Sequence, residues 1–426
     1  MKNILVIGSG GREHAFVKTL KKSKNIGKIY ALPSNAGISE DAIGVANIKQ
    51  SDFVSIENFC KEFSIDYVLV GPEQPLVDGI VDYLSARNIK VFGADKSGAR
   101  LEGSKDFMKF IATKYNVPTA EYQTFDDKEK ALEFVRNKGV PIVIKADGLA
   151  AGKGVCVAMN LREAEAAISD AFAGKFGSAG NKLVIEEFLE GEEASFFVVT
   201  DGKTALEFGF AQDHKRAFDG DKGPNTGGMG TYSPAPIVTD SVKEKIFNQI
   251  IYPTLKGLQA EGIIYKGFLF AGLMIDNLGN PKLIEYNIRM GDPETQVILP
   301  RLKTDLLEII EAVCDGNLAE IGKIEFENNH ALCVVMAANG YPEVYEKNCP
   351  IDLSDAKNLS DVTIFHAGTA LDENGNLISI GGRVLGVTAL GDNISDAQKK
   401  AYEAVKKIKF QKGFYRKDIG FRAVNK

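Results

Sequence analysis

Short apolar runs at 3–7, 28–32, 67–70 and 90–92 are separated by stretches of helical spacing at 14–22 and 76–87. A chain that alternates strand and helix in this way forms a parallel sheet with helices on both faces. Ligands of such sheets bind beyond the carboxyl ends of the strands. There this chain carries GSGGREH at 8–14, PSNAG at 33–37 and GPEQP at 71–75. Small residues at a helix start let backbone N–H groups approach an anion. A dinucleotide fingerprint would need a third glycine where Glu13 stands and an acid where Leu32 and Pro33 stand. A phosphorylated small substrate fits better than a nicotinamide cofactor, with Arg12 and Glu13 lining its site.

The chain has 426 residues, enough for two to four domains. A net charge of −6 argues against a general nucleic-acid surface. Five scattered cysteines without C-x-x-C spacing fit reduced thiols in the cytoplasm better than a disulfide frame or a zinc site. The N-terminus turns polar too quickly for a signal peptide, and no apolar run approaches the roughly 20 residues of a membrane span. No long apolar helix face or heptad demands a partner. A cytoplasmic monomer that binds neither nucleic acid nor membrane is expected.

From about residue 105 the pattern changes. LEGSKDFMKFIATKYNVPTAEY reads as a helix with Lys105 near its start, ended before Pro118. PIVIK at 141–145 is a short buried strand with Lys145 at its mouth, followed by DGLAAGKG at 147–154. Glycines and alanines there leave backbone amides free to wrap phosphates, and Lys145 and Lys153 add charge. The loop is not a P-loop, because Gly154 stands where Ser or Thr would hold magnesium. LVIEEFL at 183–189 is an apolar strand with paired acids, suited to meeting adenine through its backbone while an acid takes ribose hydroxyls.

LIEYNIRMGDPETQ at 283–296 alternates apolar residues with Glu285, Asn287 and Arg289, then breaks into a polar loop. Strand residues two apart share a face. Two oxygen ligands and a fixed cation therefore stand side by side. The oxygens suit Mg²⁺, which takes one or two protein ligands and completes its octahedron with phosphate and water. The guanidinium suits a carboxylate or a phosphate.

The order of these parts resembles the ATP-grasp superfamily and, within it, the phosphoribosylamine–glycine ligase family. The residues that carry the likeness are VIGSGGREH, PSNAG, GPEQPLVDG, EGSK, PIVIKADGLAAGKGV, VIEEFLEGEEASF, QDHKRAFDGDKGPNTGGMGTYSPAP, GFLFAGLMID, RMGDPETQ, GGRVL and FYRKDIG, spanning 6 to 420 in the family's order. The resemblance implies a multidomain α/β and α+β protein. Residues 1–104 would form a Rossmann-like substrate-binding domain. Residues 105–325 would form an ATP-grasp domain with a mobile lid at about 122–190, and 326–426 a β-rich C-terminal domain.

It also implies ligation of glycine to 5-phosphoribosylamine through glycyl phosphate, driven by ATP. The alternatives are another ATP-grasp carboxylate–amine ligase or carboxylase, or a nucleotide sensor without catalysis. Lys105 and Lys145 would hold ATP phosphates under a loop containing Asp147, Gly148, Gly152, Lys153 and Gly154. Glu186, Glu187, Phe188 and Leu189 would meet adenine, and Glu193 the ribose. Glu285 and Asn287 would hold Mg²⁺ or Mn²⁺. Asp213, Lys215, Thr226, Gly227, Gly228 and Asp292 would form the glycine and phosphoryl side, with Asp213 taking the glycine ammonium. Arg289 would hold either the transferring phosphoryl or the glycine carboxylate. Gly10, Gly11, Arg12, Glu13, Asn35, Gly37, Pro72 and Glu73 would hold the phosphoribosyl group.

The first hairpin strand at 267–275 is neutral and Asp276 sits beside the turn, so few protein metal ligands are expected. His14 and His214 lie beside proposed anion sites, whereas His330 and His366 read as structural. The strands at 331–337, 362–367 and 383–388 and the helix at 394–408 would cover the site or contact the ribose phosphate.

Overall fold

The computed structural model describes residues 1–149 and 154–424. Its first sheet is parallel and five-stranded, in the order Ile43–Gly44, Ile26–Leu32, Lys2–Ile7, Tyr67–Val70, Lys90–Phe92. Four of these strands fall where the apolar runs place them. The edge strand Ile43–Gly44 is too short to leave a periodic signal.

Strand alternation sorts the side chains between two cores. Leu5, Ile7, Tyr30, Leu32, Val68 and Val70 pack with Ile56, Ile80 and Leu84. Ile4, Val6, Ile29, Ala31, Tyr67 and Leu69 pack with Phe16, Leu20, Ile309 and Val313. Both faces are therefore covered, as a parallel sheet requires. The first helix runs Gly11–Leu20 and so starts earlier than its apolar spacing indicates. It does so because Glu13 reaches back to accept the Gly10 N–H at 2.6 Å. The helix expected at 76–87 is two, Glu73–Asp78 and Ile80–Ser85, broken at Gly79 where φ is +95°.

The stretch expected as a lid, about 122–190, holds a four-stranded antiparallel sheet ordered Tyr122–Phe125, Leu183–Glu187, Ile142–Ala146, Val155–Ala158. It has its own core, with Leu132, Val135, Ile144, Ile168 and Ile185 among its members.

The third large element is a nine-stranded sheet. Its path runs Pro281–Asn287, Gly267–Ile275, Glu192–Thr200, Ala205–Asp213, Gly230–Ser233, His330–Ala338, Arg383–Gly391, Val362–His366, and Gly413–Phe414 pairs with His330–Ala338 off that path. The C-terminal strands thus continue the sheet of the middle of the chain, because Gly230–Ser233 pairs with both Ala205–Asp213 and His330–Ala338. On one face of this sheet Phe196, Ala271, Leu273 and Tyr286 pack with Val242, Ile250 and Leu258 of the helical stretch 240–260.

Asp276 organises the hairpin turn, where its Oδ1 accepts the Leu278 and Asn280 N–H groups at 2.9 and 2.8 Å. His14 and His366 are buried between the first sheet's loops and the C-terminal strands, and the His366 N–H donates to His14 Nδ1 at 2.8 Å.

Burial drives the His214 and His366 imidazoles down to about 3 from an ordinary 6.5. Between those values the unfolded chain binds protons that the folded chain refuses, so stability falls as pH falls. The slope is at most about 1.4 kcal/mol per pH unit for each ring. Urea midpoints should drop from about pH 7 to about 5, and less steeply in His366→Gln. Parallel slopes in the two proteins would show that His366 is not neutral in the fold.

Candidate functional site

Sheet register gathers the acids. Glu285 pairs with Gly272, Gly272 with Ser195, and Ser195 with Ala211. Glu193 and Asp213 lie two residues further along their strands, so Glu285, Ser195, Glu193 and Asp213 share one face. Cations converge on it. Burial pushes the Glu285 carboxyl up, but Lys215, Lys105, Lys145 and Arg289 outweigh it and hold the group ionised. Asn287 is 8% exposed, and its Nδ2 has no hydrogen-bond partner in the described structure. Its Oδ1 accepts from Arg289 Nη2 at 3.1 Å and keeps a second lone pair. No group of three or more His, Cys, Asp or Glu among the described residues could hold a metal. An ionised carboxylate beside an amide oxygen therefore fits a divalent ion that takes its other ligands from phosphate and water.

The residues expected on the nucleotide side lie between the four-stranded sheet and the large sheet. Ser104 caps the helix Lys105–Lys114 by accepting the Phe107 N–H at 3.1 Å. Asp147 braces this cap by accepting the Asp106 N–H at 2.7 Å, so its side chain positions Lys105. Lys145 is 3% exposed; its ammonium donates to Ile284 O at 3.1 Å and pairs with Glu186 Oε2 at 2.8 Å.

The other Glu186 oxygen lies 3.3 Å from Lys109 Nζ, which also donates to Thr119 Oγ1 and Ala120 O. Lys109 is fully buried, and desolvation outweighs Glu186 to bring it down to about 8. The sequence reading passed over this lysine, although it follows Lys105 by one helical turn. Glu187 faces the other way, toward Lys282 at 3.1 Å and the Glu121 N–H at 3.1 Å. Phe188 and Leu189 follow the strand end and are half-buried. Glu193 pairs with Lys215 at 3.1 Å. Gly148 packs against Ala179 and Gly154 opens the strand Val155–Ala158. Gly152 and Lys153 lie outside the described residues. A cavity of about 390 Å³ lined by Ile144, Cys156, Asp170 and Arg216 lies on the core face of the lid sheet, away from Lys145 and Glu186.

Beyond the hairpin, Arg289 donates to Glu73 Oε2 at 3.0 Å and to Glu102 Oε1 at 2.7 Å. Burial alone would lower this guanidinium, but Glu102, Glu73 and Glu294 raise it. Glu73 is brought down to about 2, because Arg289 and Arg12 overcome its desolvation. Asp213 is driven well upward by burial and by the charge of Glu294. Gly228, at φ +114°, must be glycine: a Cβ there would lie 2.7 Å from Asp213 Oδ1 and 2.5 Å from Pro293 Cδ.

Arg383 holds this loop from the C-terminal strands, donating to Gly227 O at 2.6 Å and to Asp292 O at 2.6 Å. Its Nη2 is 3.5 Å from Asp292 Oδ1. Thr226 Oγ1 accepts the Gly228 N–H at 3.0 Å and donates to Lys215 O at 2.9 Å, which fixes the loop's shape. Glu102, Glu294 and Arg383 were not singled out from sequence, although all three lie within or beside EGSK, RMGDPETQ and GGRVL. His214 turns away from the anion site: Nδ1 bonds Gly230 O and Nε2 accepts the Gly420 N–H.

The N-terminal loops abut this end. Arg12 donates to Met290 O at 3.2 Å and to Glu13 Oε1 at 2.6 Å. Glu13 is 2% exposed and lies under the loop it braces. A Cβ on Gly11 would lie 2.5 Å from Gln296 Nε2, and one on Gly10 3.1 Å from Asp292 Oδ2. Pro72 precedes the helix that begins with Glu73. Asn35 ties Ser9 O to His366 O through its Nδ2, each at 2.8 Å. Gly37 is wedged so tightly that a Cβ would lie 2.4 Å from His14 Cε1. Arg12 and Glu73 thus border the Arg289 centre, whereas Glu13, Asn35 and Gly37 shape the loops around it.

Three family models match in series: the phosphoribosylglycinamide synthetase N domain over 2–102, its ATP-grasp (A) domain over 103–295 and its C domain over 331–422. A phosphoribosylamine–glycine ligase of Escherichia coli O6:H1 is 51% identical over 425 residues, covering 99% of each chain. One from Mesorhizobium japonicum is 53% identical over 422 residues, covering 99% of this chain and 98% of its own. The crystal structure of the Thermotoga maritima phosphoribosylamine–glycine ligase superposes with a TM-score of 0.84 at 34% identity, over 98% of this chain and 100% of that one. A Campylobacter jejuni biotin carboxylase shares the fold alone, with a TM-score of 0.74 at 16% identity over 100% of this chain and 95% of its own. The order and spacing of the site residues, together with these full-length likenesses, place the chain in the phosphoribosylglycinamide synthetase (phosphoribosylamine–glycine ligase) family.

Proposed function

We propose that this chain joins glycine to 5-phosphoribosylamine, converting ATP to ADP and phosphate and giving glycinamide ribonucleotide in de novo purine biosynthesis. The observation that carries the reading is the Arg289 centre. There Arg289 bonds Glu73 and Glu102, Arg12 reaches Met290 O, and the lysines of the phosphate side add their charge at Glu285. Glycine's carboxylate is a poor electrophile. Its oxygen attacks the γ-phosphorus, ADP leaves, and the resulting glycyl phosphate has a good leaving group. The amine of phosphoribosylamine then attacks the carbonyl carbon, phosphate departs, and the amine loses a proton to form the amide.

Phosphoryl transfer needs positioning and charge neutralisation more than covalent help. Lys105 and Lys145 supply charge to the ATP phosphates, and Asp147 braces the cap of the Lys105 helix beside them. Glu186, Phe188 and Leu189 border adenine. Glu193 receives the ribose hydroxyls once Lys215 turns to phosphate. Glu285 and Asn287 would hold Mg²⁺ or Mn²⁺, which when bound neutralises phosphate charge during transfer. Asp213 and Glu294 crowd negative charge where an ammonium is expected, and glycine's amino group relieves it. Arg289 lies between Glu73 and Asn287, so it links the amine donor's side to the phosphoryl side. We place the reaction in the cytoplasm, with the chain a monomer; all five cysteines are free thiols, as a reducing compartment maintains.

Release of ADP should require both glycine and freshly generated phosphoribosylamine. ADP formation that ignores the omission of either would sink the assignment. Glu285→Ala should lower kcat by at least about 10²-fold, the scale of losing one preorganised electrostatic group. Arg12→Ala should raise the KM for phosphoribosylamine and leave that for ATP unchanged; equal loss of ATP affinity in both variants would refute this division. Lys109→Met should raise the KM for ATP about tenfold, equivalent to about 1.4 kcal/mol. The Lys109 ammonium is present below about pH 8 and is lost above it. The native KM for ATP should therefore rise through that pH while the variant's stays level; matching profiles would exclude Lys109 from the nucleotide site.

A further inference from the structure

Residues 416–422 form a buried seam against the stretch 214–221, which follows the strand that carries Asp213. Arg416 is 1% exposed, with a fully buried guanidinium. It grips Asp418 with a two-pronged fork, Nε and Nη2 each donating at 2.8 Å. Its Nη1 donates to Asp221 Oδ1 at 2.8 Å and to Arg216 O at 3.1 Å. The contact is reciprocal: the Gly220 N–H donates to Asp418 Oδ2 at 2.8 Å, and the Lys417 N–H to Asp219 Oδ1 at 2.7 Å. Arg422 pairs with the remaining oxygen of Asp221.

His214 closes the seam at its inner end. Because Nε2 accepts the Gly420 N–H, the ring is neutral with its proton on Nδ1, directed at Gly230 O. It also meets the Phe421 ring at 5.7 Å between centroids. The residues on either side of His214 turn to the opposite surface. Lys215 reaches Glu193, and Asp213 sits in the field of Glu294 beside Gly228.

We propose that Arg416, with Asp418 and His214, is a positioning device for the glycine side of the site. The C-terminal segment fixes the rear of the 213–221 stretch, and this sets where Asp213 and Lys215 stand at the front. The proposal rests on the reading of Asp213 as the group that receives glycine's ammonium. Arg416 touches no substrate. Its forked grip on Asp418 and its bond to the Arg216 carbonyl are geometric constraints that a lysine cannot reproduce.

The test is steady-state kinetics on the full chain, with thermal unfolding run on the same samples. Arg416→Met should raise the KM for glycine about tenfold or more, the scale on which small misplacements of a reacting group act. The KM for ATP should stay within about twofold. Arg416→Lys should recover only part of the loss. Should Arg416→Met fail to fold, Asp219→Ala, in an exposed loop, removes one outer bond of the seam and should raise the glycine KM on its own. A fall in Tm with an unchanged glycine KM, in whichever of the two variants folds, would reduce the seam to a fastening and overturn the proposal. Asp213→Asn separates the two levels of inference. If it leaves the glycine KM unchanged, the reading of Asp213 fails; if it raises that KM and neither seam variant does, the positioning role fails.

Discussion

The guanidinium of Arg289 sits where three parts of the chain meet, and its bonds set the spacing among them. Its two carboxylate partners, Glu73 and Glu102, come from the short helices Glu73–Asp78 and Arg100–Gly103, while Arg289 itself follows the hairpin of Gly267–Ile275 and Pro281–Asn287. Removing one partner from a buried ion pair typically costs about 3–5 kcal/mol, because the charge left behind has lost its water. The arrangement resists rearrangement for that reason. The neighbouring strand is pinned in the same way, since the Ile288 N–H donates to Glu102 Oε2 at 2.9 Å. Arg12 reaches Met290 O from the first turn of the helix Gly11–Leu20. A ligand that enters on one side of this cluster changes the field on the other without any domain having to move.

Around that centre the molecule separates support from presentation. Many of the polar side chains nearest the glycine-rich loops complete those loops. Glu13 braces the first glycine turn, Asn35 joins two loops to the C-terminal strands, Thr226 shapes the Gly228 turn, and Asp147 holds the cap of the Lys105 helix. The groups left facing the cleft are long and charged. Lys105, Lys145, Lys215 and Arg289 surround Glu285, so its charge is set by the field of all four more than by any one contact.

What could be read from the sequence follows this division. Strand alternation and glycine loops are local, and they located the parallel sheet, the hairpin and the carboxylate face. Glu285 and Asn287 were legible because two-residue spacing on a strand is a geometric statement. Glu102 and Arg383 were not, because their partners stand 187 and 91 residues away and no local pattern encodes such a meeting. Lys109 escaped for a different reason. A lysine on an amphipathic helix ordinarily faces water, and only the approach of Thr119, Ala120 and Glu186 encloses it. The break at Gly79 was visible as a glycine, but its consequence depends on how the following helix packs. The continuity of the nine-stranded sheet was hidden because Gly230–Ser233 is short and follows a glycine-rich loop.

That continuity has a consequence for how the protein comes into being. Gly230–Ser233 acquires its second neighbour only when residues 330–338 arrive, and one face of the first sheet waits for the helix Leu306–Asp315. The stretch behind Asp213 waits longer, for Arg416 and Asp418. Contacts so distant along the chain form late and leave strand edges open until they do. A ribosome emitting this polypeptide therefore releases the glycine loops of the first sheet well before Arg416 and Asp418. The stretch 214–221 gains the packing behind it only after those residues have emerged.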